Sequence, residues 1–384
     1  MTPEILEQLI AWRHELHQAP ELSGEEVKTA ARVVEWLAGF APDEILTGLG
    51  GTGIAAVFQG AAKGPTIGIR CELDGLPVPE ETNLSYSSQV PGKGHLCGHD
   101  GHMSIVLGVA QFLSQNRPRR GRVVLIFQPA EETGEGAMAY RAASQFAEIA
   151  PDMVLSLHNL PGLALGSVLM PSGAANCASR GARIQLWGKT SHAAAPQDGV
   201  SPAPALSALM TELASLGRGG ELDERFTLTT VTHASLGERT FGVAPGVAEL
   251  WVTLRTATDE AMAAMVEEVD TRVARASAQH GLRHAITYHD VFEACRNAPE
   301  AVDILVKSCD AGGVPLTQTE RPLAFSEDFG QFGKSAQAAM LWLGAGETHP
   351  QLHNPDYDFP DALIPIGTGI FTRAIQDLLG TSVE

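Results

Sequence analysis

The stretch His95-Leu96-Cys97-Gly98-His99-Asp100-Gly101-His102 places the strongest condition on how this chain can fold. It packs three imidazoles, a thiol and a carboxylate into eight residues. Donors this soft and this dense suit a transition metal such as zinc, manganese, cobalt or nickel better than calcium or magnesium. The two glycines let the backbone bend tightly, so alternate side chains can converge on one point. So short a stretch does not complete a metal site. The fold must bring further ligands to it.

A chain of 384 residues exceeds what one hydrophobic core usually fills, so two domains are expected. The formal net charge of -19 argues against a nucleic-acid backbone or an anionic membrane as partner. The longest basic run, at 117–122, links a helix to a strand and reads as a solvated turn. Five scattered cysteines point to free thiols or ligands in a reducing compartment. The opening Met-Thr-Pro-Glu-Ile-Leu-Glu carries acids where a signal peptide needs bases, and no apolar window is long enough to span a membrane. The expectation is a cytoplasmic protein.

Thr2 before Pro3 starts a helix whose apolar face is Ile5, Leu6, Leu9, Trp12 and Leu16. Ser23-x-x-Glu26 reads as a capping box for a second helix carrying Val27, Ala30, Val34 and Leu37. Apolar runs at 54–58, 66–71, 123–127, 153–157 and 167–170 then alternate with helical patterns at 102–115 and 135–146, which argues for an α/β fold with a mostly parallel sheet. From about Ser179 the rhythm changes. Strands at 182–187, 226–233, 247–256 and 284–292, with helices at 202–216 and 260–279, follow the split βαβ order of a ferredoxin-like domain. The α/β style returns with a helix at 299–311, a strand at 339–343 and a closing helix at 364–379. The expected organisation is a catalytic domain of residues 1–179 and 295–384, with residues 180–294 inserted as a small domain.

Open α/β sheets place ligands beyond the carboxyl ends of their strands. Asp74, the pair Glu131 and Glu132, His158 and His353 each follow an expected strand of the large domain, and the opening stretch precedes a helix. Two metals need about three protein ligands each, often shared. Cys97, His99, Glu132, His158 and His353 fill that requirement. Adjacent glutamates on an extended backbone point in different directions, so one can ligate while the other serves as the general base of metal-assisted hydrolysis. In the inserted domain, His192 follows a strand and can stabilise an oxyanion, or simply lie at the surface. Arg255 can hold a carboxylate bidentately or make an ordinary salt bridge.

The segments WRHELHQAPELSGEE, ELDGLPVPEET, KGHLCGHDGHM, FQPAEETGEGA, LHNLPGLALG, GKTSHAAAP, VTLRT, SEDFGQFG and LHNPDYDFPD run through nearly the whole chain. In this order they resemble the aminoacylase and carboxypeptidase-type dinuclear metallopeptidases. More narrowly, they resemble the amidohydrolase subfamily of hippurate hydrolases, indole-acetyl-amino-acid hydrolases and N-acetyl-diaminopimelate deacetylases. The resemblance implies a zinc-peptidase-like catalytic domain with an inserted lid and dimerisation domain. It implies two divalent ions per subunit, held by Cys97, His99, Glu132, His158 and His353, with Glu131 as base and Asp74 and Asp100 orienting ligands. His192 is implied as the oxyanion donor, delivered in dimeric relatives by the partner subunit's small domain, and Arg255 as the carboxylate binder. His95 and His102 receive no role, the first as a flanking residue and the second as the start of a helix.

The implied activity is hydrolysis of an N-acyl-amino acid to a carboxylic acid and a free amino acid. A homodimer through the lid, or a larger homo-oligomer, is implied with it. A dipeptidase or carboxypeptidase on the same fold, and a catalytically silent binding protein, are the alternatives. Two positions depart from the pattern of the relatives. Glu72 replaces a shorter aspartate two residues before Asp74, and Gly242 stands where an asparagine is common, thirteen residues before Arg255. The latter removes a hydrogen-bonding group from the expected carboxylate site.

Overall fold

The computed structural model describes residues 1–381; positions 382–384, the last three of the expected catalytic domain, lie outside the described residues. Contacts divide the chain into two compact units. The larger takes Met1–Ala175, Arg296–Glu320 and the chain from Asp328 onward; the smaller takes Asn176–Cys295 and Arg321–Glu327.

The larger unit is built on an eight-stranded sheet. Its strands are β1 (Glu44–Leu49), β2 (Gly53–Gln59), β3 (Ala62–Glu72), β4 (Arg120–Gln128), β5 (Met153–Pro161), β6 (Val168–Pro171), β7 (Leu316–Thr319) and β8 (Gln337–Gly346). They lie in the order β1-β2-β4-β3-β5-β8-β6-β7. The pairings β4/β3, β3/β5, β5/β8 and β6/β7 are parallel, so the carboxyl ends of β4, β3, β5 and β8 share one edge. β5 is buried along its whole length, as a strand enclosed on both faces must be. The helices Pro3–His17, His99–Gln115 and Leu363–Leu379 pack on one another and join the sheet in one core that includes Leu9, Ile69, Val106, Leu125, Leu155 and Phe371.

Three local expectations need correction. His158 lies inside β5 rather than after it, because the ladder to β8 continues through His158 opposite Trp342. The helix expected from 102 begins at His99, since Gly98 in the left-handed region (φ 93°) already turns the chain into it. Ser23 and Glu26 form no capping box. The Ser23 hydroxyl donates to Asp74, and Glu26 accepts from the Gly24 and Ala130 N–H groups. The helix Val27–Ala38 is capped instead by Glu21, which accepts the Lys28 and Thr29 N–H groups at 2.8 Å each.

The smaller unit has four antiparallel strands, Ala178–Trp187, Thr227–Leu236, Val247–Thr256 and Arg283–Phe292. The second lies at one edge, followed by the third, the first and the fourth. With the helices Ala203–Ala214 and Asp259–Gln279 this is the split βαβ arrangement. Its own core gathers Ile184, Leu209, Leu213, Leu250, Val269 and Val273. Among the described residues, no helix is long and apolar enough to cross a membrane.

Candidate active site

The shared edge of β4, β3, β5 and β8 carries a tight group of donor atoms. His158 Nε2 lies 3.4 Å from Cys97 Sγ. His99 Nε2 lies 3.9 Å from Glu131 Oε2 and 3.9 Å from Glu132 Oε1, and His353 Nε2 lies 3.5 Å from Glu132 Oε2. Overlapping groups result, among them Cys97 with His99 and His158, Cys97 with Glu132 and His353, His99 with Glu131 and Glu132, and His99 with Glu72 and His102. Around a tetrahedral ion with ligand bonds of about 2.0–2.3 Å, donor atoms fall roughly 3.3–3.8 Å apart. The 3.4 and 3.5 Å spacings fall in that range, and the two of 3.9 Å lie just beyond it.

The ring orientations fit it too. His99 Nδ1 donates to the Asp74 carbonyl at 2.9 Å, and His158 Nδ1 donates to the Asn159 carbonyl at 2.8 Å. Each imidazole thus keeps its proton on Nδ1 and turns the Nε2 lone pair toward the group, the usual way a protein orients a ligating histidine. Burial pushes His158 down to about 3, so its ring is neutral at physiological pH. The donor set of thiol, imidazoles and carboxylate accommodates zinc, manganese, cobalt or nickel. The residues present fit a pair of divalent ions.

The two acids arrive on a strained turn. Of the four non-glycine residues with positive φ among the described residues, Ala130 (49°) immediately precedes Glu131, and His353 (65°) is itself in the group. Such conformations persist only where the surroundings over-determine them. Here the surroundings are identifiable: Glu26 takes the Ala130 N–H, and Asp74 takes the Glu132 N–H at 3.0 Å. Asp74 also accepts from the Ser23 hydroxyl at 2.7 Å and lies 3.4 Å from His99 Nδ1. Although its complete burial works against the charge, these hydrogen bonds hold its carboxyl below the usual range. Glu132 belongs to two of the donor groups and Glu131 to the one nearest His99.

Asp100 points elsewhere. Its carboxylate meets Arg13 Nη1 at 3.0 Å and His17 Nδ1 at 2.9 Å. His17 is also 3.3 Å from Glu80. Burial opposes a charge on His17, yet hydrogen bonds to Asp100 and Glu80 hold it up at about 9. Arg13 in turn pairs with Asp358 and Asp361, anchoring the chain that follows His353. His95 is buried beside these groups, and burial pushes it down to about 4. His102 is buried at hydrogen-bond distance from Glu72 and Asn159.

Arg13, His17 and Asn159 were not reached by sequence reasoning, Glu72 was noted only as a departure from the relatives' pattern, and His102 was left without a role. His102 alone left a usable signal. It stands three residues after His99, hence on the same face of a helix that begins at His99.

The remaining candidates lie in the smaller unit. His192 is exposed on the short strand Ser191–His192, paired with Val243–Ala244. Its Nδ1 accepts the Ala194 N–H at 3.0 Å, so the ring proton sits on Nε2. Arg255 is half-buried, with Nη1 donating to the Ala324 carbonyl at 3.0 Å and the Ser326 hydroxyl at 2.8 Å. Gly242 accepts from the Ala193 N–H beside His192, and a Cβ added at Gly242 would meet nothing within 4 Å.

Comparison with known proteins adds identity to this geometry. The family model described as peptidase family M20/M25/M40 matches residues 68–377. An N-acetyldiaminopimelate deacetylase of Streptococcus suis is 32% identical over 366 residues, covering 93% of this chain and 95% of that protein. An N-acetylcysteine deacetylase of Bacillus subtilis is 27% identical over 374 residues, covering 97% of each. Among solved structures, a Bacillus subtilis protein described as a dinuclear metal-binding peptidase of the M20 family superposes with a TM-score of 0.82. It is 26% identical, with 98% of this chain and 99% of that chain covered.

Proposed function

Because the chain belongs to peptidase family M20/M25/M40, we propose that it is a metal-dependent amidohydrolase that cleaves the amide bond of N-acyl-amino acids. The products are a carboxylic acid and a free amino acid. The observation that carries this reading is the convergence of Cys97, His99, Glu132, His158 and His353 on one strand edge with Glu131 beside them. The deacetylase relatives act on substrates of this class by their descriptions.

In this reading the five residues hold two divalent ions. Bound there, the ions supply Lewis-acid polarisation of the scissile carbonyl and make an attacking water more acidic. Glu131 accepts the proton of that water on its carboxylate and returns it to the departing amine. His192 donates its Nε2–H to the oxyanion, and Arg255 takes the substrate carboxylate through the guanidinium N–H groups not given to Ala324 and Ser326. Asp74 holds His99 and the Glu132 backbone in place. The smaller unit serves as lid and as the surface of a homodimer. Five cysteines, an odd number scattered along the chain, fit a cytoplasmic setting.

The test is a substrate panel. Protein stripped with a chelator and reloaded separately with Zn²⁺, Mn²⁺, Co²⁺ or Ni²⁺ is assayed on N-acetyl- and N-benzoyl-amino acids and on dipeptides. Hydrolysis of the acyl-amino acids, restored only by metal, is expected. A preference for dipeptides would move the protein to the peptidases. Intact recovery of bound acyl-amino acid from metal-loaded protein would make it a binding protein.

A further inference from the structure

Beneath the donor atoms lies a buried row of polar groups that none of the roles above uses. His102 Nδ1 is 2.7 Å from Glu72 Oε2, and its Nε2 is 2.6 Å from Asn159 Oδ1. Asn159 also directs its N–H at His102 Nε2, 3.2 Å away, and donates from Nδ2 to the Tyr357 hydroxyl at 2.6 Å. Glu72 is ion-paired with Arg70, whose Nη2 holds Asp328 at 2.8 Å. Glu72, His102, Asn159 and Tyr357 are each at most 1% exposed. Polar groups buried this deeply are costlier than apolar packing unless every partner is in place. What they hold still is visible at their neighbours.

Asn159 touches the candidate metal group in two ways. Its backbone carbonyl accepts from His158 Nδ1 and so sets the tilt of that ring. Its side chain closes the space above Gly98, where an added Cβ would come 2.2 Å from Asn159 Oδ1. Gly98 is the left-handed residue joining Cys97 to His99. One residue therefore abuts the loop that carries two candidate ligands while its main chain orients a third. His102 completes the brace: it shares a helix with His99, and its ring centroid is 4.7 Å from that of His158.

From this geometry we infer that Asn159 is a positioning residue. Held by His102 and Tyr357, it fixes the mutual placement of Cys97, His99 and His158, and with it the coordination geometry of a divalent ion. The inference rests on the metal-site reading of those three residues proposed above. Neither Asn159 nor Tyr357 ligates or touches substrate in it; both act through the ligands.

Two variants and three readouts test this. Asn159→Ala and Tyr357→Phe are loaded with Co²⁺, and the dissociation constant is measured by chelator competition. The visible absorption spectrum of the Co²⁺-loaded protein and separate kcat and KM values accompany it. Loss of an outer group that orients ligands costs about 10- to 100-fold in metal affinity. Asn159→Ala is expected to show that loss, an altered Co²⁺ spectrum and a comparable fall in kcat with KM nearly constant. Tyr357→Phe, which removes one hydroxyl from an otherwise intact ring, shifts the same readouts in the same direction by less. If Asn159→Ala does not fold, Tyr357→Phe decides alone. Wild-type affinity and spectrum in the variants, whatever their melting temperature, would reduce Asn159 to packing and overturn the inference. A wild-type protein that binds no Co²⁺ at all would instead overturn the metal-site reading, and this inference with it.

Discussion

The two units treat their polar residues in opposite ways. In the larger unit, the imidazoles of His99 and His158 each have a second hydrogen bond that fixes the ring, and the acids follow a strained turn tied down by Glu26 and Asp74. In the smaller unit, His192 stands exposed on a two-residue strand, held through its ring by one N–H, beside a glycine facing open space. The contrast separates two tasks. On the proposed reading, donor atoms that hold metal ions need placement to fractions of an ångström and are braced from behind, whereas a group that meets the substrate can be left free to adapt.

The comparison breaks first at His192. If it supplies oxyanion stabilisation from a loose position, His192→Ala lowers kcat by about 10²–10³ and leaves the metal content at the wild-type level. Loss of metal together with activity would mean that the smaller unit is part of the scaffold after all.

A smaller effect, confined to the larger unit, comes from His17. Its folded value of about 9 exceeds the 6.5 of an ordinary histidine, so the stability it contributes is fully present below pH 6.5 and is lost as pH rises through 9. The full difference is on the order of 3 kcal/mol. Melting temperature measured from pH 6 to 10 should fall across that window in the wild type and less steeply in His17→Asn. Identical slopes would remove His17 from the account.

The smallest effect is expected at Gly242. Asparagine has room there, so Gly242→Asn should change stability by no more than about 0.5 kcal/mol. One added hydrogen bond, worth roughly 0.5–1.5 kcal/mol, should lower KM for acyl-amino acids with a free carboxylate and not for their amides. Equal effects on both substrates would show that the position does not read the carboxylate.

Much of the larger unit's chemistry was legible because it obeys a rule of topology. Residues near the carboxyl ends of parallel strands share an edge, so Glu132 and His353 could be grouped with the Cys97–His99 stretch from their places in the chain, and His158 joined them although it lies inside β5 rather than after it. The change of strand rhythm near Ser179 likewise marked a second kind of sheet. What stayed hidden were partners far apart in sequence. Ser23 and Glu26 have the spacing of a helix cap, but their side chains bond Asp74 and Ala130, and no local pattern encodes that. The first helix reads as amphipathic, yet Arg13 and His17 are buried on it among acids from three other segments. The basic run at 117–122 read as a solvated turn. Arg119 and Arg120 are indeed exposed, but they also donate to the Thr381 and Leu378 carbonyls, and Arg122 donates to that of Glu148. The short strands β1 and β7 carry too few buried residues to announce themselves.

In the proposed mechanism, Glu131 does work that its neighbour Glu132 does not. Glu131→Gln keeps the shape and removes the base, so the most direct measurement is kcat of this variant alongside its metal content. The expected result is wild-type metal stoichiometry with kcat reduced by about 10²–10⁴. Near-normal turnover in metal-loaded Glu131→Gln would contradict the assignment of Glu131 and the mechanism built on it.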